Sequence, residues 1–347
     1  MIVLTKLYCM EIEAAQIKLG GGKILLFDLL DYLYSINKTS ILWIGDRDIY
    51  NEILDKYNDF FVINYTSVFS TLVRYMRHRK SVIFFCSIPP FVKCEKSLVY
   101  FHNPHLVKSF KERFCCFSLK LLFKSIKSIL LYLWILLFKN NCNLWCCQIA
   151  DIANKLEREF SIKAEIIPFY SIPNIRCNKK IYDFCYVAYP YPHKNHLVLF
   201  EAIKILANKH NFSFVVTIPK VGYSDLIAII NDINRICNRN VVFNFGILER
   251  NKVFDLYSKT KYLVFPSKLE TLGLPLIEAQ KSGLKILASN LPFSYASIGN
   301  VITFNPLDAY SISEVMESAL FGNYDNVDQK TLIHSSIDQM VNLVSDD

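Results

Sequence analysis

The chain has 347 residues, of which 52% are hydrophobic and 20% charged, with only ten glycines. That composition excludes a collagen, a long coiled coil and a wholly disordered chain, and the length suits about two domains. The net charge of +8 favours anionic partners such as phosphates or an acidic membrane surface, without choosing among them. Eleven cysteines, an odd number with no C-x-x-C spacing, read as buried reduced thiols, even at the adjacent pairs Cys115–Cys116 and Cys146–Cys147. The start, MIVLTKLYCMEIEAAQ, has no basic segment followed by a long apolar one, so no secretory signal is expected.

In chain order, the first half alternates short apolar runs with helical patterns. Strands are expected at Ile2–Leu7, Ile41–Ile44, Phe60–Tyr65, Val82–Cys86, Leu98–Phe101, Leu144–Cys147 and Glu165–Phe169. Helices are expected at Lys23–Ile36, Tyr50–Tyr57, Val68–His78 and Ile149–Phe160. Such alternation predicts a parallel sheet with helices on both faces. The glycines Gly20, Gly21 and Gly22 precede the first helix. They read either as a flexible turn or as a loop whose N–H groups approach a phosphate or acceptor.

Positive charge concentrates between Phe60 and Asn140, where thirteen Lys and Arg face two acids, Glu95 and Glu112. Within it, Ser118–Phe138 forms an apolar helical pattern. Lys120, Lys124 and Lys127 fall on one face, and Leu122, Ile126, Ile129, Leu130 and Leu133 cover much of the rest. Its longest uncharged run, Ser128–Phe138, is well short of the roughly 20 residues a bilayer span needs. The pattern fits a basic amphipathic helix on an anionic membrane surface better than a core helix with a lysine-rich solvent face.

Ser171–Lys180 reads as a linker, and the second half repeats the rhythm. Strands are expected at Tyr182–Ala188, Phe212–Ile218, Val241–Phe245, Tyr262–Phe265 and Leu284–Ala288. Helices are expected from Asn195, over Asp225–Cys237 with Ser224 as cap, over Asn251–Ser258, and up to Gly283. The chain should therefore form two doubly wound α/β domains facing a central cleft. Ligands would sit at the carboxyl ends of the strands.

Phe265–Ser289, FPSKLETLGLPLIEAQKSGLKILAS, carries the chemistry. A strand ends at Pro266, a loop runs through Glu270, Thr271, Leu272 and Gly273, and a helix starts about Pro275 with Glu278 one turn in. Free N–H groups at such a helix start attract an anion, and two carboxylates could accept sugar hydroxyls. By spacing alone, one acid favouring the helix dipole and one surface glutamate explain the pattern equally well.

Taken together, Pro266, Ser267, Glu270, Gly273, Leu274, Pro275, Glu278 and Ala279 resemble the PS-x-x-E-G-F-G-L-P-x-x-E-A signature of the family-4 retaining glycosyltransferases of the GT-B fold. Gly283, Ala288-Ser289-Asn290, Phe304–Asp308, Gly246 and the helix start Pro192–Leu206 fall in step with it. The likeness is closest over Tyr182–Asp308. It implies that Glu270 holds donor-sugar hydroxyls, with Thr271, Leu272, Gly273 and Leu274 lining the donor, and that Glu278 binds the nucleotide ribose. It also implies that Lys194 neutralises the diphosphate. His102, in FHNPH, resembles a histidine of transferases from lipopolysaccharide O-antigen clusters and would face the transferred sugar; a structural strand-end histidine is the alternative. Gly20–Gly22 resembles the family's acceptor or phosphate loop, and Gln148, in WCCQ, a turn before the last helix of the first domain.

The sequence departs from the family in three places. Ala188 and Tyr189 stand in the region of a usual Gly-Arg, Thr271 replaces a loop glycine, and Ala296 stands where a glutamate is frequent. No P-loop or H-E-x-x-H motif occurs, and His193 and His196 lack a nearby acidic or cysteine ligand, so no metal is expected. Basic and aromatic residues interleave near Arg74–Lys80 without a nucleic-acid motif, so no nucleic acid is expected.

The resemblance implies a metal-independent, retaining transferase. It would move sugar from a nucleotide sugar to a polyprenyl-diphosphate-linked saccharide in lipopolysaccharide O-antigen or other surface polysaccharide synthesis. It would be cytoplasmic and peripheral on the inner face of the cell membrane. A sugar-nucleotide epimerase of the same fold, or a degenerate membrane-bound scaffold, are the alternatives. The expected organisation is an acceptor-side domain over 1–172, a nucleotide-sugar domain over 173–325 and a closing helix over 326–347.

Overall fold

The computed structural model describes residues 10–18, 20–107, 119–173, 175 and 178–344. The expected strand Ile2–Leu7, the pair Cys115–Cys116, and the side chains of Leu122, Lys120 and Lys124 lie outside what is described. The chain divides into two compact units, residues 1–171 with 334–347, and residues 172–333.

In the first unit the elements run β1 (Glu11–Ala14), α1 (Gly21–Ser35), β2 (Ile41–Ile44), α2 (Arg47–Tyr57), β3 (Val62–Tyr65), α3 (Val68–Tyr75), β4 (Ser81–Phe84), β5 (Lys96–Phe101), α4 (Leu119–Phe138), β6 (Leu144–Cys147), α5 (Ala150–Phe160) and β7 (Glu165–Ile166). The strands form one parallel sheet in the order β3-β2-β1-β4-β5-β6-β7. Runs such as Ser81–Phe84 are buried along their whole length, as a sheet covered on both faces requires.

The interior strand β1, between β2 and β4, was not expected from the sequence, because two of its four residues are glutamates. Glu13 is fully buried, and Arg74 of α3 and Arg79 pair with it there. A buried carboxylate is tolerable only with such partners. Gly21 and Gly22 also differ from expectation. They form the first turn of α1 rather than a loop, and Gly20, at φ 74°, is the cap position.

α4 docks through Trp134, whose indole N–H donates to the Pro89 carbonyl at 2.8 Å and whose ring stacks on Phe91 at 4.2 Å. Ile135 is buried beside it. Ile126, Leu130, Leu133 and Leu137 are exposed, Leu137 by 74%. They follow a spacing of four, three and four residues and so make one apolar stripe. Lys127 is exposed beside them. Among the described residues, no helix is long and apolar enough to cross a membrane.

In the second unit the elements run β8 (Tyr182–Tyr186), α6 (His196–Ala207), β9 (Phe214–Val216), α7 (Ser224–Ile236), β10 (Val242–Asn244), α8 (Arg250–Ser258), β11 (Thr260–Phe265), α9 (Leu274–Lys281), β12 (Lys285–Ser289), α10 (Pro292–Ser297), β13 (Ile298–Gly299), β14 (Ile302–Phe304), α11 (Ala309–Leu320) and β15 (Lys330–Thr331). The main sheet is parallel in the order β10-β9-β8-β11-β12-β14. Its order reverses between β8 and β11, the position at which doubly wound sheets bind ligands. Ser224 is the first residue of α7 and makes no capping bond, so the expected cap is displaced to Tyr223.

The closing segment is not one helix from 326 to 347. Lys330–Thr331 pairs antiparallel with Ile298–Gly299. From His334 the chain belongs to the first unit, where α12 (Ile337–Asn342) buries Met340 and Val341.

Candidate active site

The second unit's site grows from the loops that leave its two central strands. β11 is an almost wholly buried strand that stops at Pro266. Ser267, also buried, donates its hydroxyl to the His193 carbonyl at 3.3 Å, and the Lys268 N–H donates to the same carbonyl at 2.8 Å. These bonds tie the loop after β11 to the loop after β8.

The tie brings Lys194 to Glu270, with Nζ 2.5 Å from Oε1. Both side chains are largely covered, which strengthens the pair relative to one in open water. The backbone under Lys194 is fixed on both sides. Its carbonyl accepts from the Tyr186 hydroxyl at 2.8 Å, and Asn195 adopts a left-handed conformation at φ 62° while its amide donates to the Pro306 carbonyl at 2.6 Å. His196 begins α6 and is buried against Tyr186, with ring centroids 5.0 Å apart. Burial, and then the Lys194 cation, push its pKa down to about 4, so it is neutral at pH 7.

Gly273 caps α9 at φ 72°, where a Cβ would stand 3.1 Å from Leu276 Cδ1. No side chain caps this helix start. Leu272 and Leu274 are buried, and the Leu272 carbonyl accepts from the Ser297 hydroxyl at 2.6 Å. Their side chains therefore belong to the core, and only their backbone is available to a donor. Thr271 is partly exposed beside them. Glu278, one turn on, is buried with its Oε1 3.3 Å from Arg250 Nη2 at the start of α8. Arg250 is a residue that sequence reasoning missed: it looks like an ordinary charged helix start, and only the fold sets it on Glu278.

Where the family's Gly-Arg was expected, Ala188 is buried and Tyr189 packs with Tyr191 at 4.9 Å and edge-on to Tyr223 at 5.6 Å. His193 stacks on Tyr191 instead of sharing a site with His196. Among the described residues, no cluster of three or more His, Cys, Asp or Glu has the geometry to hold a metal.

The first unit builds its own group. His102 follows β5, its N–H donates to Ser87 Oγ at 3.1 Å, and its ring lies 5.1 Å from Phe85. Burial pushes its pKa down to about 4, leaving a neutral imidazole. A Cβ on Gly22 would stand 3.2 Å from His102 Nε2, so the glycine is what lets α1 start so close to the ring. The structure thus brings Gly22 and His102 together within the first unit, and Lys194 and Glu270 within the second.

Residues 172–302 match the family model described as glycosyl transferases group 1. The second unit therefore carries a group 1 glycosyltransferase domain. At the level of the whole chain, the structure is similar to a glycosyltransferase from Rickettsia africae, with a TM-score of 0.64 at 13% identity, covering 97% of this chain and 93% of that one. It is also similar to HepE from Anabaena, a structure solved with UDP and glucose, at a TM-score of 0.62 and 11% identity, covering 98% and 96%. These likenesses give both units the GT-B fold. In sequence, 84 residues are 38% identical to the serotype-specific mannosyltransferase WbdA of Escherichia coli. That match spans 24% of this chain and only 10% of WbdA.

Proposed function

We propose that this protein is a retaining, metal-independent glycosyltransferase that moves a sugar from a nucleotide-sugar donor to a lipid-linked oligosaccharide. The product would enter lipopolysaccharide O-antigen or another surface polysaccharide. The observation that carries the reading is the Lys194–Glu270 pair, set in a group 1 domain on the loops leaving β8 and β11.

In this reading Glu270 accepts hydrogen bonds from donor-sugar hydroxyls while Lys194 Nζ faces the diphosphate. As the bond from the sugar to the diphosphate breaks, negative charge builds on the leaving phosphate oxygen. A cation already in place stabilises that charge without reorganising. The backbone of Thr271–Leu274, at the uncapped start of α9, adds aligned N–H dipoles. Glu278, oriented by Arg250, takes the ribose hydroxyls. Lys194 would do this without the usual arginine, since Tyr189 brings no charge. In the first unit, Gly20–Gly22 and His102 would meet the acceptor and the sugar in flight. The likeness to a serotype-specific mannosyltransferase supports a place in surface-polysaccharide synthesis.

The apolar stripe of α4 with Lys127 beside it supports a peripheral position on the anionic inner face of the cell membrane, where the lipid-linked acceptor resides. Purified protein mixed with a panel of nucleotide sugars tests the donor half. One of them should raise the melting temperature and, with a polyprenyl-diphosphate saccharide, release nucleoside diphosphate in EDTA. Conversion of the nucleotide sugar to an isomer without any acceptor and without net release of nucleoside diphosphate would favour epimerase chemistry instead.

A further inference from the structure

We propose that Ser87 is the positioning residue for His102: its hydroxyl fixes the backbone there, so that the imidazole stands against Gly22 at the carboxyl edge of the first sheet. This rests on the glycosyltransferase reading above, in which His102 meets the sugar in flight.

The ladder between β4 and β5 ends with Phe84 opposite Val99. Three residues further along the two chains stand Ser87 and His102. β5 runs on to Phe101, whereas β4 has already ended at Phe84. The Ser87 side chain takes over where that strand stops. Its Oγ accepts from the His102 N–H at 3.1 Å and donates to the Tyr100 carbonyl at 3.5 Å. One hydroxyl thus ties the end of β5, from Tyr100 to His102, to the loop after β4.

Ser87 holds this place against its own backbone preference. Its φ is 62°, a left-handed conformation that disfavours a side chain. Among the described residues, the other non-glycine residues with such a φ are asparagines, an aspartate and Ser161. Asparagine and aspartate tolerate the conformation, and Ser161 is exposed at the end of α5. Ser87 is 1% exposed. A buried serine where glycine would sit relaxed points to a use for its side chain, and strained residues of this kind gather at functional sites. The use here is His102. Its ring packs 5.1 Å from Phe85 and bonds to the Tyr100 backbone, and Nε2 would be 3.2 Å from a Cβ on Gly22. A ring so closely bounded keeps its place only while its own backbone does, and a reacting group tolerates little displacement.

Ser87→Gly and Ser87→Ala separate strain from positioning. Both remove the hydroxyl, but only glycine relaxes the left-handed backbone, so Ser87→Gly should melt higher than Ser87→Ala. Turnover should not follow that order. Both variants should lose about tenfold or more in kcat, with affinity for nucleoside diphosphate unchanged. A turnover-free arm reads the His102 imidazole by NMR, its resonance assigned by its loss in His102→Gln. That resonance should shift in both Ser87 variants.

An imidazole that shifts in both variants of a protein that transfers nothing would leave the hold of Ser87 on His102 standing and remove the transferase reading. Turnover that follows melting temperature, near normal in Ser87→Gly and low in Ser87→Ala, would make Ser87 a folding residue and overturn the proposal. An imidazole unmoved in both variants would overturn it as well. Ser87→Cys, of similar shape but a weaker acceptor, gives the same comparison should neither smaller side chain fold.

Discussion

Arg74 grips Glu13 at two points, with Nε 3.0 Å from Oε2 and Nη2 2.9 Å from Oε1. The carboxylate sits on an interior strand of the first sheet with no access to water. Burial is the largest influence on it and raises its pKa, while Arg74 and then Arg79 pull the other way. Arg74 is itself held by the Thr66 and Thr71 hydroxyls and lies 4.2 Å from the Trp43 ring. Arg74→Met should therefore destabilise the protein by about 3–5 kcal/mol, because it leaves a buried charge without its main partner. Urea unfolding measures this. Glu13→Gln in the same background should recover part of the loss, and no recovery would mean that the charge is not the cause.

Lys194→Met should lower kcat/KM on the order of a hundredfold or more, with little change in melting temperature. Glu270→Gln should do the same while leaving affinity for free nucleoside diphosphate near normal. Each tenfold loss corresponds to about 1.4 kcal/mol of transition-state stabilisation. Steady-state kinetics with the donor identified by the panel reads both. A methionine variant that turns over normally would assign the diphosphate to another cation.

Stability should fall on mild acidification. His102 and His196 have pKa values lowered to about 4, against 6.5 for an ordinary histidine. Above pH 6.5 both are neutral folded or unfolded, and their contribution is fully present. As the pH falls from 6.5 toward 4, the unfolded chain binds protons that the folded one refuses, and stability is lost. Each histidine contributes up to about 3 kcal/mol over that window. His196→Phe should flatten this part of the pH profile of melting temperature. A profile of unchanged slope would refute the assignment for that residue.

Gly273→Ala should cost about 1–2 kcal/mol through its left-handed backbone and its approach to Leu276. Activity should suffer more than stability, because the same residue sets the N–H groups at the start of α9. Comparing thermal melts with kcat/KM separates the two effects.

Leu130→Ser with Leu137→Ser should reduce co-sedimentation with anionic vesicles at high salt, where the apolar part of binding remains. Leu130 is 61% exposed and Leu137 74%, so the fold should tolerate the change. Lys127→Glu should act mainly at low salt. Equal pelleting of all variants would confine α4 to a role within the first unit.

Much of the architecture was legible in the sequence. Leu144–Cys147 and Ile41–Ile44 are strands over the expected residues, because short β-branched and apolar runs between helical patterns have few alternatives. Glu11–Ala14 was not legible, since its strand identity depends on arginines more than sixty residues away. Lys194 and Glu270 were each singled out by the family resemblance, but not as a pair, and Arg250 was not singled out at all, because no local pattern links the start of α8 to a turn of α9. Gly21 and Gly22 misled in a simpler way: glycine suggests a loop, and here it begins a helix against an imidazole.

The first unit is assembled from two stretches of chain with the whole second unit between them. Ser81 Oγ bonds the Val344 carbonyl, and the Ser336 N–H donates to the Pro168 carbonyl at 2.8 Å. During synthesis, residues 172–333 therefore leave the ribosome as one uninterrupted segment that has all its own strands. The earlier-made first unit must wait for α12 to close it. Until then, the surface that Met340 and Val341 cover stands open, and the nascent protein is more exposed to aggregation there than in the later-made half.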